Sequence, residues 1–367
     1  MNADAPAGLL LAIDLGALAR NWKRLHDLSS PAECAAVVKA DAYGIGIERA
    51  VPALAEAGCR KFFVAVPEEG ERVRAAVADA AVYVLNGFFA EWAGYFRAFS
   101  LRPVLNSLKS IEAWAGLCPG APSIVHVDTG MNRLGLSLHE AVGLSRRPEL
   151  LAAASPEMLM SHLACADDPG HPLNKTQLTL FREVRGEFPR LPASLANSAG
   201  IHLGRDFHLD LVRPGVALYG GAFAQDREPL EIVATLKARI LQIRDAAAGE
   251  TIGYGATRHI LEDTRIAIVS AGYADGYHRM TGSSDKHPGA QAILRGQRVP
   301  ILGRVSMDLI AIDVTAVPGA SEGDWVELFG PNMPIDEVAA AAGTVGYELL
   351  TGLSRRAARR YIDADAA

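Results

Sequence analysis

The stretch VVKADAYG, residues 37–44, ends a short apolar run with a lysine, at the point where a buried strand would give way to a loop. An unpaired ammonium group is costly to bury, so Lys39 needs a partner or a chemical role. Burial also lowers a lysine pKa from about 10.4, which frees the amine to act as a nucleophile, a base or a Schiff-base former. The alternative is a structural lysine that keeps its amine in water.

Seven further apolar runs, all after Lys39 in the sequence, indicate which fold surrounds it. Continuous apolar runs are typical of parallel strands buried on both faces, and helical spacing of apolar residues separates several of them, at 47–57, 68–78 and 175–188. Eight such units predict an α/β fold, a (β/α)8 TIM-type barrel. The eight runs are 36–38, 62–66, 82–85, 103–105, 124–127, 158–160, 193–196 and 209–212. A dinucleotide-binding fold is disfavoured because no run is followed by G-x-G-x-x-G.

After Gly221 the pattern changes to short alternating runs separated by Gly, Pro and Asp, which predicts a mainly β C-terminal domain. The runs are 236–243, 265–269, 291–294, 299–302, 309–314 and 325–329. We therefore expect the barrel to span 9–230 and the second domain 231–367. The place of residues 1–13 is open, and they can join the second domain.

Composition and net charge limit the kinds of protein that this chain can be. The 367 residues carry a net charge of −6, which disfavours a nucleic-acid partner. The basic cluster at 355–360 is read as a solvated or interface surface. The four cysteines form no C-x-x-C pair and no zinc spacing, which predicts reduced thiols and no metal. With neither a secretion signal nor an apolar run of membrane-spanning length, we expect a cytoplasmic protein without a membrane partner.

Reactive side chains follow five of the eight runs, where the strands of a barrel would end. The active site of such barrels lies at this rim. Taken singly, each residue has a structural alternative: His162 can be a core histidine, Arg133 a turn residue, Arg213 a partner of Asp210, and Asn197 a helix N-cap. The segments are Lys39, 128–135, 161–162, 197–198 and 213–215.

One corner of the rim has the features of a phosphate site. Ser198 begins a predicted helix after the seventh run, and the Gly215 and Val216 backbone follows the eighth. Barrels often bind phosphate there, because the N-terminus of a helix offers free N–H groups. A lysine that faces a phosphate corner predicts pyridoxal 5′-phosphate as the cofactor.

These motifs together resemble the bacterial alanine racemases. The resemblance covers nearly the whole chain, in the family's order, at 37–44, 128–135, 161–167, 197–199, 212–215, 272–277 and 303–308. It implies a two-base interconversion of L- and D-alanine that supplies D-alanine for peptidoglycan. It also implies a homodimer with shared active sites.

The resemblance assigns a role to each matching residue. Lys39 carries the cofactor and is the base on one face of the substrate, and Tyr273 of the partner subunit is the base on the other. Arg133 and Met307 bind the substrate, and Asp308 lines the entrance. The residues implied to hold the cofactor are Lys39, Tyr43, His162, Asn197, Ser198, Arg213, Gly215, Val216 and Tyr347.

One residue departs from the family pattern. Many members carry a lysine two residues before Asp-Thr-Gly, which can be carbamylated to orient the arginine that corresponds to Arg133; this chain has His126. A neutral imidazole could instead accept a hydrogen bond from Arg133, and near its reference pKa of about 6.5 acid would then loosen that arginine. Three other functions stay open: a broader amino-acid racemase, a barrel decarboxylase and a non-enzymatic cofactor carrier.

Overall fold

The structure, a computed structural model, describes residues 7–221 and 230–363. The described chain divides into two compact units. The first comprises residues 18–219 with residue 230, and the second comprises residues 7–17, 220–221 and 231–363. No helix in these ranges is both long and apolar enough to cross a membrane.

The first unit is a barrel of parallel strands, closed by an interrupted first strand. The piece Glu33–Cys34 pairs with Leu211–Arg213, and the piece Ala36–Val37 pairs with Lys61–Val64. Between the two pieces, Ala35 donates its N–H to the Val212 carbonyl at 3.0 Å. The other strands, in order around the barrel, are Ala81–Val84, Leu101–Leu105, Ser123–His126, Pro156–Met160 and Ala193–Asn197. The predicted barrel is confirmed.

Apolar side chains from successive strands fill the barrel interior and leave no room for a pore. The buried cluster consists of Ala35, Val37, Phe63, Tyr83, Val104, Ile124, Met158, Met160 and Leu211. Because these strands are buried on both faces, their sequences are continuous apolar runs. The α-helices of this part of the chain are Leu15–Ser29, Ile47–Glu56, Pro67–Ala76, Ala93–Ala98, Leu108–Leu117, Leu138–Ser145, Pro148–Ala154, Pro172–Gly186 and Ser198–Ile201, and the segment Lys39–Tyr43 forms one left-handed turn.

The second unit is built on an eight-stranded sheet, as the alternating runs predict. Its longest strand, Ala234–Ala246, pairs antiparallel with both Trp325–Phe329 and Thr264–Val269. The N-terminal strand Leu9–Asp14 lies between Ala234–Ala246 and Ala358–Ile362. The remaining strands are Gln291–Leu294, Gln297–Leu302 and Ile310–Asp313, with a separate hairpin of Thr251–Ile252 and Arg258–His259, and the helices are Ile335–Ala341 and Gly346–Thr351.

Candidate active site

Lys39 begins a turn of left-handed backbone. The four residues that come after it, 40–43, all have φ between 52° and 57°. Left-handed backbone costs an L-residue roughly 1–2 kcal/mol, so a run of four needs specific support. Backbone strain of this kind is concentrated at functional sites. The turn ends at Gly44, where a φ of 85° is free of that cost.

Acidic side chains supply the support. Asp41 accepts the Ile47 N–H at 3.1 Å and forms an ion pair with Arg72, which also binds Glu48 at 2.7 Å. Glu69 accepts the Asp41 N–H at 3.3 Å. These contacts satisfy backbone N–H groups and hold the strained turn in place.

The Lys39 amine is half-buried, and its pKa lies below the ordinary value. Burial is the larger cause, and the positive charge of Arg133 adds to it, whereas Glu69 acts in the opposite direction. A larger fraction of the amine is therefore neutral near pH 7, as a nucleophile or base requires.

The structure brings together the residues of the predicted phosphate corner, Ser198, Gly215 and Val216. The buried Ser198 hydroxyl accepts the N–H of Gly215 at 2.8 Å and the N–H of Ala217 at 3.2 Å. The Val216 N–H between them has no hydrogen-bond partner among the described residues. Tyr43 closes the corner: a Cβ at Gly215 would overlap the Tyr43 hydroxyl.

Arg213 is a buried cation that is 3% exposed. Its guanidinium donates to Ser194 Oγ and to the Ser161 carbonyl at 2.7 Å, and lies 3.4 Å from His162 Nδ1. Burial lowers the pKa of Arg213 to about 9, which still leaves it charged at neutral pH. Its partners in the described chain are neutral, and none is Asp210, which pairs with Arg185 instead. A buried charge without a counter-charge points to a further partner in the site.

His162 and Asn197 lie beside Arg213. Asn197 Nδ2 is 3.4 Å from His162 Nε2, and its Oδ1 caps the helix Ser198–Ile201 by accepting the Gly200 N–H at 2.9 Å. Burial, with the neighbouring Arg213 charge, holds the pKa of His162 well below its usual value. His162 is therefore a neutral ring at physiological pH.

The hydrogen-bond partner of His126 is Asn106, whereas Arg133 was the expected partner. The His126 Nδ1 is 2.7 Å from Asn106 Oδ1, so the ring N–H donates to that amide. Arg133 is exposed and makes no hydrogen bond or ion pair in the described chain. Burial lowers the pKa of His126 to about 4. The expected titration near pH 6.5 is therefore wrong, because the ring is desolvated and lies near the charges of Arg213 and Arg133.

Tyr273, Met307 and Asp308 lie together in the second unit. The Tyr273 N–H donates to the Ser306 carbonyl at 3.0 Å, and a Cβ at Gly272 would overlap the Met307 carbonyl. The Asp308 carboxylate pairs with Arg356 at 2.8 Å, which also reaches the buried Asp275 at 3.2 Å.

Tyr347 belongs to the second unit as well, on the helix Gly346–Thr351, and is largely exposed. Its predicted contact with phosphate stays a prediction.

Another exposed tyrosine of the second unit is Tyr254. It is 72% exposed, against 41% for Tyr273, and it stands between two glycines with positive φ, Gly253 and Gly255. A short hairpin presents this turn. Glycines at these positions allow the tight turn.

A cationic cavity of about 740 Å³ adjoins the Tyr254 turn in the second unit. Its charged lining residues are the bases Arg279, Lys286 and Arg304 and one acid, Asp285, and Thr257, which comes just after the turn, also lines it. This charge favours anions such as carboxylates.

The barrel residues fit pyridoxal phosphate. The Tyr43 hydroxyl lies against the Gly215 backbone, near a Val216 N–H without a partner in the described chain, so two donors that a phosphate can use lie close together. Arg213 offers a buried donor for a ring nitrogen, and Lys39 offers an amine of lowered pKa.

Comparison with known proteins decides the family. The model of the alanine racemase N-terminal domain matches residues 13–222, and the model of the C-terminal domain matches residues 233–361. The chain belongs to the alanine racemase family. A relative from Rhizobium meliloti (strain 1021), named alanine racemase, is 49% identical over 364 residues, with 96% of each chain covered. A biosynthetic alanine racemase of Agrobacterium fabrum is 46% identical, with 99% of this chain and 96% of the relative covered.

Solved structures agree with this assignment. The crystal structure of alanine racemase from Bartonella henselae, described with covalently bound pyridoxal phosphate, aligns with a TM-score of 0.92 at 38% identity. The alignment covers 97% of this chain and all of that one. The two-domain architecture is thus that of the family.

Proposed function

We propose that the chain is an alanine racemase that uses pyridoxal phosphate to interconvert L- and D-alanine. The observation that carries the proposal is a single rim that holds Lys39, the Ser198–Gly215 corner and the buried Arg213, in a chain of this family. A decarboxylase or a cofactor carrier would not account for the match to both domain models.

Each barrel residue has a role in this function. Pyridoxal phosphate, when bound, withdraws electrons and makes the α-proton of alanine acidic. Lys39 carries the cofactor and moves a proton on one face of the substrate. Arg213 donates to the ring nitrogen and, because arginine keeps its proton, leaves that nitrogen unprotonated. Ser198, Gly215, Val216 and Tyr43 hold the phosphate.

The remaining barrel residues orient this group. His162, a neutral ring beside Arg213, packs near the pyridine ring, and Asn197 fixes His162 from the other side. Arg133 is exposed and has no partner in the described chain, so its guanidinium is free to bind the alanine carboxylate. From the second unit, we assign Met307 to the substrate carboxylate, Asp308 to the entrance and Tyr347 to the phosphate.

The second base is a tyrosine of the partner subunit, in a homodimer with shared sites. We assign this role to Tyr273, because it belongs to the segment 272–277 that matches the family pattern. Its side chain is 41% exposed, as a residue that serves a partner subunit's site requires.

We assign the enzyme to the cytoplasm, where D-alanine is needed for peptidoglycan precursors.

Incubation with L-alanine tests the proposal. We expect D-alanine to accumulate until the two enantiomers are equal, without an amine product. Formation of ethylamine would mean a decarboxylase, and no reaction in a protein loaded with cofactor would mean a carrier. Turnover of larger amino acids at the rate of alanine would mean a broader racemase.

Two tyrosine variants test the second base. Tyr273→Phe should lower removal of the α-proton from L-alanine by at least the roughly 10²–10⁴-fold of a general base. It should leave solvent-deuterium exchange of D-alanine through Lys39. Tyr254→Phe, at another exposed tyrosine of the second unit, is the matched control, and the same loss there alone would contradict the assignment of Tyr273.

Subunit mixing tests the shared site. Neither Lys39→Ala nor Tyr273→Phe should be active alone, whereas a mixture should regain activity because a mixed dimer holds one intact site. Absence of recovery in a mixture shown to exchange subunits would contradict a shared site.

A further inference from the structure

Glu69 connects the Lys39 turn to the neighbouring strand. One carboxylate oxygen accepts the Ala65 N–H at 2.9 Å, directly after the strand Lys61–Val64. The other accepts the Asp41 N–H at 3.3 Å, inside the left-handed turn. One half-buried side chain thus bridges the ends of two adjacent barrel strands.

Glu69 also differs in charge from the other groups that act on Lys39. Arg133, on the loop after Ser123–His126, lowers the pKa of the Lys39 amine, as burial does. The neutral ring of His162 adds no opposing charge. Glu69 is the acidic group of the described chain that raises the pKa of Lys39.

We propose that Glu69 is a positioning residue for the cofactor-bearing lysine: it holds the turn on which Lys39 and Tyr43 lie, and its negative charge acts on the lysine nitrogen. The inference deepens the proposed function, because it rests on Lys39 as the point of cofactor attachment. It explains what supports the strained turn, since the Ala65 and Asp41 N–H groups, with a longer contact from the Val66 N–H at 3.5 Å, converge on a single carboxylate.

The test titrates the absorption of the bound cofactor in the holoenzyme, because this absorption changes with protonation of the nitrogen that joins the cofactor to Lys39. Glu69→Gln removes the charge and keeps a similar size and an acceptor oxygen. We expect the midpoint to fall by about one pH unit, as for loss of a nearby opposite charge. Glu68→Gln, an exposed neighbour on the same helix, is the matched control and should not shift the midpoint.

Identical spectra for Glu69→Gln and wild type, across the pH range in which both are folded, would overturn the proposal. A second variant, Glu69→Asp, keeps the charge but is too short to reach both N–H groups. It should lower kcat with little change in the midpoint, and an unchanged kcat would also overturn the proposal. This variant decides the question if Glu69→Gln does not fold.

A borohydride-reduced digest of the wild type shows which lysine carries the cofactor. It therefore distinguishes failure of the Glu69 proposal from failure of the proposed function. Cofactor on another lysine would refute the role of Lys39. Cofactor on Lys39, with an unshifted Glu69→Gln titration, would refute the Glu69 proposal alone.

Discussion

Replacing Gly215 with alanine tests the phosphate corner with a single methyl group. The new Cβ would overlap the Tyr43 hydroxyl, and its next neighbours are Tyr43 Cζ at 3.2 Å and Val37 Cβ at 3.5 Å. The Tyr43 ring cannot move away freely, because it stacks on Tyr219 at a centroid distance of 4.5 Å. Gly215 does not have the positive φ that favours glycine, so the clash is the main cost.

This overlap determines how much cofactor affinity Gly215→Ala should lose. Overpacking by one methyl group costs roughly 1–3 kcal/mol. If relief of the overlap displaces Tyr43 from the phosphate, that cost weakens cofactor binding by roughly 5- to 150-fold, at about 1.4 kcal/mol per factor of ten. The loss should appear in the cofactor dissociation constant, measured by titrating pyridoxal phosphate into cofactor-free protein.

A double mutant checks the cause. In Gly215→Ala/Tyr43→Phe the overlapping hydroxyl is gone, so the further loss caused by Gly215→Ala should be smaller than in wild type. Gly116→Ala, in a helix with nothing within 4 Å of the added Cβ, is the control. Wild-type affinity in Gly215→Ala, or equal losses with and without the Tyr43 hydroxyl, would refute the reasoning.

Three further predictions concern other barrel residues. Lys39→Ala should abolish covalent attachment of the cofactor and nearly all activity, and a reduced-digest map that shows the cofactor elsewhere would contradict this. Arg213→Glu should slow racemisation and raise pyruvate formation by transamination, because a carboxylate favours a protonated ring nitrogen; an unchanged product ratio would remove this account of Arg213. The folded-state pKa of His126, about 4, lies below its unfolded value. Burial of the neutral ring therefore contributes stability that is fully present above about pH 6.5 and is lost as the pH falls toward 4. The free energy of unfolding should fall by about 2 kcal/mol between about pH 7 and about pH 4.5. Denaturant titrations at the two pH values should show a smaller loss of unfolding free energy in His126→Gln than in wild type, and an unchanged loss in His139→Gln, an exposed control. Equal losses in the two variants would refute this account of His126.

Much of the site could be predicted because barrel strands bring their carboxyl ends to one rim. Lys39, His162, Asn197 and Arg213 lie at or directly after the ends of their runs, so strand order alone gathers them. The contacts of His126 could not be predicted, since its partner Asn106 lies on a neighbouring strand end and no local pattern records the pairing.

The exposure of the tyrosines shows a different limit. Tyr273 belongs to a recognisable motif, but its exposed fraction and that of Tyr254 are known only from the structure. A sequence pattern does not report which phenol is exposed.

The sequence by itself determined the eight barrel strands, the β-rich second domain and the lysine at the rim, because these depend on local periodicity and on the residues directly after each strand. Tertiary structure alone decided how the barrel closes, through two pieces of one strand that pair on opposite sides. It also decided that Leu9–Asp14 joins a sheet whose other strands lie more than 200 residues away. The left-handed turn after Lys39 is likewise a feature that only the tertiary structure decided. No residue preference predicts it, and it persists because Glu69 and Arg72, distant in sequence, supply the contacts that offset its strain.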